Sequence, residues 1–399
     1  MKILSIETSC DETGISVIQG AAERPGSVTI LGNALASQIA LHAQYGGVFP
    51  AMAKRAHAEK FVPLLIEALT EAQMLEPTDT PLSEEKVKKI TELCTKEQIL
   101  GEAFIPFFNT YKKPDIDHIA VTTGPGLEPA LWVGINAAKV LSAIWNIPLI
   151  PINHMEGHVL VTLLDKKDER MFDIRTITFP ALALLVSGGH TELVLMQEYG
   201  QYEKIGQTRD DAVGEAFDKV ARILGLPYPG GPAISKMAVA FRASEKEQPF
   251  TLPRPMLHSG DYDFSYSGIK TAVLYTVRDH GDMSEDDKMA LACAFEDGAI
   301  EVLITKTMRA VQEYNIATLI VGGGVAGNTY LRSQLAEVVQ KKSPNTTLLF
   351  PEQWLSTDNS VMIGIAAYMR LLYGNSESQT IENITANGNL SITQGGYKK

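Results

Sequence analysis

Apolar and polar positions along the chain form a pattern that is written twice. Residues 3–18 run as a short apolar stretch (I-L-S-I), a small polar cluster (E-T-S-C-D-E-T-G) and a second apolar stretch (I-S-V-I); residues 181–196 repeat the shape as A-L-A-L-L-V, S-G-G-H-T and E-L-V-L-M. An apolar run that breaks at small polar residues and resumes predicts a β-hairpin whose tip carries function. A second unit also occurs twice. Ile119-Ala120-Val121 leads through T-T-G-P-G into a helical stretch from Ala130 to Trp145, and Leu319-Ile320-Val321 leads through G-G-G-V-A-G-N into Leu331 to Gln340. Strand, glycine loop and helix is the unit that aims backbone N–H groups at an anion. A hairpin followed much later by this unit, in each half, is most simply an internal duplication. It predicts an α/β protein of two lobes facing each other across a cleft.

Helical periodicity is clear from Gly214 to Leu224, with Phe217, Val220 and Leu224 on one face, and from Met289 to Tyr314. Tyr228-Pro229-Gly230-Gly231-Pro232 reads as a loop. Residues 77–114 break the pattern. They are rich in Lys and Glu and predict a helical insertion with a loop at each end, its Glu84-Glu85-Lys86 and Lys88-Lys89 charges forming a solvated face.

Composition narrows the class. At 399 residues, a prior of two or three domains holds, with a core large enough to need no staples. The net charge of −12 opposes a polybasic nucleic-acid binder, so any RNA contact requires a local patch. Three cysteines, Cys10, Cys94 and Cys293, without C-x-x-C spacing argue against a disulfide scaffold and a cysteine-cluster zinc site. An early acid at Glu7 argues against a signal peptide, and no apolar run approaches the roughly 20 residues of a membrane helix. A cytoplasmic enzyme is the expectation.

The candidate chemistry centres on His154 and His158 in N-H-M-E-G-H, with Asn153 as a helix cap. At i and i+4 both rings leave one face of a helix, a turn apart, which suits one metal ion; chance placement of two of eight histidines is the alternative. A peptidase of the H-E-x-x-H type carries its base beside the first histidine. Here the intervening acid is Glu156, rotated away from the His154 face, which disfavours that activity. Asp358 in S-T-D-N-S is the best third ligand on chemistry, although an aspartate before the apolar stretch Val361 to Leu372 reads more plainly as a helix cap. Two histidines and a carboxylate suit Zn²⁺ or Fe²⁺. Gly322, Gly324 and Gly327 match G-x-G-x-x-G, with Glu352 beyond the next expected strand at Thr346 to Phe350. On motifs alone this makes an NAD-type dehydrogenase the runner-up. The stretch from Asp261 to Thr271 reads as a strand-to-helix turn.

Taken in order, L-V-S-G-G-H-T, N-H-M-E-G-H, G-E-A-F-D-K, Y-P-G-G-P, D-F-S-Y-S-G-I-K-T, G-G-G-V-A-G-N and S-T-D-N resemble the TsaD family, the transferase of tRNA threonylcarbamoyladenosine synthesis once described as a glycoprotease. I-E-T-S-C-D-E-T-G and H-A-Q-Y-G-G-V-F-P agree, and the likeness runs from about Ile3 to Tyr368. The resemblance implies a duplicated actin/Hsp70-like fold, with lobes at 1–150 plus 357–399 and at 151–356. It implies transfer of a threonylcarbamoyl group from its adenylate to the exocyclic amine of the adenosine beside the anticodon, in tRNAs reading codons that begin with A, with release of AMP. By the same carry-over His154, His158 and Asp358 hold a divalent metal, iron or zinc, and Leu185, Val186, Ser187, Gly188, Gly189, Asp218, Gly231 and Asn328 contact the adenylate. The implied partners are tRNA, a TsaB-like paralogue, a TsaE-like ATPase and an upstream threonylcarbamoyl-adenylate synthase. Two departures stand out: Ala51 replaces the glutamate usual after the proline of G-G-V-x-P in bacterial relatives, and the insertion at 77–114 is long. A metal-dependent peptidase and a non-catalytic nucleotide-binding scaffold are the competing classes.

Overall fold

The computed structural model describes residues 1–22, 26–374 and 380–394. The chain divides into two compact units, Met1–Ala40 with Val48–Thr176 and Asp358–Lys399, and Leu41–Gly47 with Ile177–Thr357.

The first unit holds β1 (Lys2–Glu7), β2 (Glu12–Gly20), β3 (Ser27–Ser37), β4 (His118–Gly124), β5 (Leu149–Asn153), β6 (Leu164–Lys166) and β7 (Met171–Ile174), in the sheet order β5-β4-β1-β2-β3-β7-β6. The expected hairpin is β1–β2, antiparallel, with Leu4 opposite Val17 and Ile6 opposite Ile15. β4 joins β1 in parallel and β5 joins β4 in parallel. Parallel neighbours need crossovers, and both faces of such strands are buried, which is why I-A-V reads as a continuous apolar run. The connections supply α1 (Ile39–Ala43, of which Leu41–Ala43 belong to the second unit), α2 (Pro50–Glu71, opened by proline at its first position), α3 (Glu84–Leu93), α4 (Gln98–Thr110), α5 (Glu128–Trp145) and α6 (His154–Leu160).

Helices α3 and α4 are the expected insertion. Its two ends meet in an isolated bridge between Pro77 and Tyr111. Glu84, Glu85, Lys86, Lys88 and Lys89 are exposed, while Phe104, Phe107 and Phe108 of α4 pack with Phe61 and Trp145. Glu97 fixes the base: its buried carboxylate pairs with Lys54 of α2 at 2.9 Å and accepts from Asn136 Nδ2 of α5 at 2.6 Å.

The second unit holds β8 (Ala181–Val186), β9 (Thr191–Glu198), β10 (Gln201–Gln207), β11 (Thr318–Gly322) and β12 (Thr347–Leu349), in the order β10-β9-β8-β11-β12. Its helices are α7 (Val213–Ile223), α8 (Gly230–Ala243), α9 (Ser267–His280), α10 (Glu285–Glu313) and α11 (Thr329–Lys342); α12 (Ser360–Tyr373) returns to the first unit and packs against β1, β2 and α6. In both sheets three antiparallel strands are followed by two parallel ones, and β3-β2-β1-β4-β5 and β10-β9-β8-β11-β12 are the same order. The duplication read from the sequence is therefore structural, and the fold is the duplicated α/β type of actin and Hsp70.

Three details differ from expectation. The first unit extends past 150 to Thr176, because β5 pairs with β4 and β7 pairs with β3. Gly230 to Pro232 are the opening of α8 rather than loop, since proline is tolerated in a first helical turn. Residues 261–266 form no strand; Phe264 makes a single bridge to Thr208 before α9 begins. Among the described residues no helix is long and apolar enough to cross a membrane.

Candidate functional site

The histidine pair is aimed by local structure. Asn153 ends β5 and caps α6, its Oδ1 accepting from the N–H groups of Met155 at 2.9 Å and Glu156 at 3.3 Å. The helix places the two imidazoles edge to face, centroids 4.7 Å apart. Asp358, just before α12, brings Oδ1 to 3.1 Å from His158 Nε2 and 3.4 Å from His154 Nε2. The three side chains thus offer ligand atoms that all lie within 4.8 Å of one another, and both rings are buried.

The cap reading of Asp358 gives way. Asn359 is the cap of α12, accepting from Met362 N–H at 2.9 Å, which leaves the Asp358 carboxylate to face the histidines. Glu156 lies on the other side of α6, its Oε2 held by Arg370 Nε at 2.8 Å and Nη2 at 2.5 Å. It is no base for a peptidase.

Electrostatics suit a cation. Burial opposes charge on Asp358, yet the two histidines hold its carboxyl far below the ordinary range. Burial likewise opposes charge on His154, but Asp358 and Glu7 raise it well above its usual value, whereas burial lowers His158. Burial, then Asp358 and Asp11, push the Glu12 carboxyl up to about 10. A site in which carboxylates crowd one another around two imidazoles has the donor set and the charge surplus for one divalent ion.

Sequence reasoning missed the residues behind the first histidine. Glu7, fully buried at the end of β1, takes His154 Nδ1 at 3.1 Å, Ser9 N–H at 2.5 Å and Thr122 Oγ1 at 2.6 Å, and Ser9 Oγ lies 3.1 Å from the same ring nitrogen. A carboxylate on the second nitrogen of a ligating histidine fixes its tautomer and direction. The available signal was an acid closing an otherwise apolar strand.

The residues expected at the adenylate all lie in the second unit. Leu185 and Val186 end β8 with fully buried side chains, so they have only backbone to offer. Ser187 Oγ accepts from Gly189 N–H at 3.3 Å and His190 N–H at 3.1 Å and so shapes the hairpin tip. Gly188, Gly189 and Gly231 border open space. Gly214, opening α7, sits where a Cβ would stand 2.6 Å from Ser187 O, so that helix begins against the tip. Asp218 Oδ1 accepts from Gly230 N–H at 2.7 Å and joins α7 to the start of α8. Asn328 caps α11. In G-G-G-V-A-G-N the strained position is Gly323, at φ +92°, where a Cβ would meet Val186 O at 2.4 Å. The turn thus depends on a glycine outside the G-x-G-x-x-G spacing, and the dehydrogenase reading is not favoured.

A duplicated actin-type fold thus carries a histidine–carboxylate triad in one unit and a glycine-bordered hairpin tip in the other. The profile of the family "TsaD: tRNA N6-adenosine threonylcarbamoyltransferase" matches residues 29–79 and 98–365. The chain is 41% identical over 387 residues to the tRNA N6-adenosine threonylcarbamoyltransferase of Nitrosospira multiformis, covering 97% of this chain and 96% of that one. It is 42% identical over 378 residues to the protein of the same name from Chromobacterium violaceum, covering 94% of each. Among solved structures it is similar to T. kodakarensis HypF, with a TM-score of 0.47 and 14% identity over 69% of this chain and 43% of that chain. The chain belongs to the TsaD family, whose members are transferases that modify tRNA. Residues 80–97, which contain α3, lie outside the family match.

Proposed function

We propose that the chain moves the threonylcarbamoyl group from threonylcarbamoyl-adenylate to N6 of the adenosine beside the anticodon, in tRNAs reading codons that begin with A. The N6 amine attacks the carbamoyl carbon, the bond from that carbon to the phosphate oxygen breaks, AMP leaves with the electron pair, and N6 loses one proton. The observation that carries this reading is the triad of His154, His158 and Asp358 in a chain of this family that also keeps the bare tip Ser187–Gly189.

The residues take the following roles. The tip and the start of α8 at Gly231 let the adenylate approach backbone N–H groups closely. Asp218 belongs at the sugar end, where a carboxylate accepts from a ribose diol and stays away from phosphate. Asn328 holds the glycine loop by capping α11. Glu7 and Ser9 orient His154, so that its Nε2 faces Asp358. His154, His158 and Asp358 would hold one divalent ion, iron or zinc, which would supply electrostatic stabilisation of developing negative charge. The amine is its own nucleophile, so no protein side chain forms a covalent intermediate. In this reading the chain works in the cytoplasm with a TsaB-like paralogue, a TsaE-like ATPase and an upstream synthase that makes the adenylate.

The test is reconstitution of the chain with those three helpers, tRNA, threonine, bicarbonate and ATP, followed by mass analysis of the tRNA nucleosides. Wild type yields threonylcarbamoyladenosine, and His154→Ala and His158→Ala yield none while keeping the fold. Wild-type levels of product from either variant would remove the triad from the reaction.

A further inference from the structure

Helix α10 runs A-L-A-C-A-F-E-D-G-A-I over residues 290–300, small or apolar apart from Glu296 and Asp297, and Glu296 is fully buried. A buried carboxylate persists only with partners. Glu296 has three donors: Oε1 accepts from Ser235 Oγ at 2.7 Å and Asn328 Nδ2 at 2.9 Å, and Oε2 accepts from Arg242 Nη1 at 2.7 Å. Arg242 is itself held, by Asp297 at 2.5 Å and by the Tyr330 ring, 3.6 Å from its guanidinium carbon.

Two of these donors belong to backbone segments that border the adenylate residues. Ser235 lies in α8, which opens with Gly230 and Gly231. Asn328 closes the glycine loop and caps α11, its Oδ1 accepting from Leu331 N–H at 2.8 Å. Because that N–H requires an acceptor, the Asn328 amide has one orientation, with Nδ2 toward Ser235 and Glu296. One carboxylate therefore fixes the start of α8 relative to the start of α11.

We propose that Glu296 is a positioning residue of the adenylate site: without touching ligand, its carboxylate sets the orientation of Asn328 and the spacing of the two segments, and so the affinity for nucleotide. The proposal rests on the reading of these loops as the adenylate site. Glutamine is the discriminating replacement, since it keeps shape but exchanges an acceptor oxygen for a donor NH₂. With its oxygen toward Asn328 and Ser235, the NH₂ faces Arg242 Nη1; turned over, it faces Asn328 Nδ2. Either way one donor opposes another, and in the second case Asn328 is driven to flip and abandon its cap.

The experiment measures AMP binding by calorimetry, transfer kinetics with threonylcarbamoyl-adenylate and melting temperature, on the full chain. Glu296→Gln is expected to weaken AMP about tenfold and to raise the adenylate KM in proportion, with kcat within about twofold, because the reacting atoms are untouched. Ser235→Ala, a smaller change that removes one donor, weakens AMP about threefold and decides the matter if Glu296→Gln does not fold. Unchanged or tighter AMP binding in the folded variants, with only the melting temperature lowered, overturns the proposal. If those variants bind AMP as wild type does while Asp218→Ala abolishes binding, the site reading stands and the proposal falls. If wild type binds no AMP, both fall together.

Discussion

Asp358 and Asn359 adjoin in the chain and answer to different partners, the first to His154 and His158 and the second to Met362 N–H. Their replacements therefore separate. Asp358→Asn is expected to lose most bound metal, because a neutral amide is a poor substitute for an anionic oxygen on a divalent ion, with stability nearly unchanged. Asn359→Ala is expected to cost about 1 kcal/mol of stability through the lost cap. Metal analysis and denaturant titration of the two proteins check both; full metal in Asp358→Asn would end its role as a ligand. The pair also shows what a sequence resolves at this scale. Both residue types cap helices, so composition does not say which of two neighbours does so. Glu7 was silent for another reason: its partner His154 is brought to it by the pairing of β1 with β4 and β4 with β5, contacts that no local pattern records.

At the scale of elements, Asp211 ties two helices to one loop. Lys219 of α7 lies 2.7 Å from Oδ1 and Lys270 of α9 lies 2.6 Å from Oδ2. Burial works against the charge, but the two ammonium groups prevail and hold the carboxyl below its ordinary range. A depressed folded pKa gives stability that is present above the unfolded value, near 4, and is lost as pH falls through the folded value. Asp211→Asn should therefore melt below wild type at pH 7, and the gap should close as pH drops below about 4. A gap that does not narrow at all as pH is lowered from about 4 would mean the contact acts through shape and not charge. Elements with strong periodicity, such as α7 and α10, were legible in the sequence, as were both hairpins. The extension of the first unit to Thr176 was not. β6 and β7 are short, their L-D-K and M-F-D-I carry little pattern, and they exist through pairing with each other and, for β7, with β3.

For the whole molecule, a net charge of −12 sets the terms on which tRNA can be met. Phosphate contacts dominate such affinities and weaken steeply with salt. The chain alone is expected to bind tRNA only at low ionic strength, with filter-binding affinity falling at least tenfold between about 50 and 200 mM salt, and helper proteins should restore it. Salt-independent tight binding by the isolated chain would contradict this. The equal strand order of the two sheets has a different consequence. Beside the hairpin tip of the first sheet stand Glu7, Asp11 and Glu12; at the same topological position in the second stand Ser187, Gly188 and Gly189, with no acid among them. A carboxylate-crowded tip repels phosphate and draws cations, and a bare glycine tip favours anions. The two halves thus tolerate opposite signs of charge at the same topological position, and because several residues differ between the tips, no single substitution would convert one into the other.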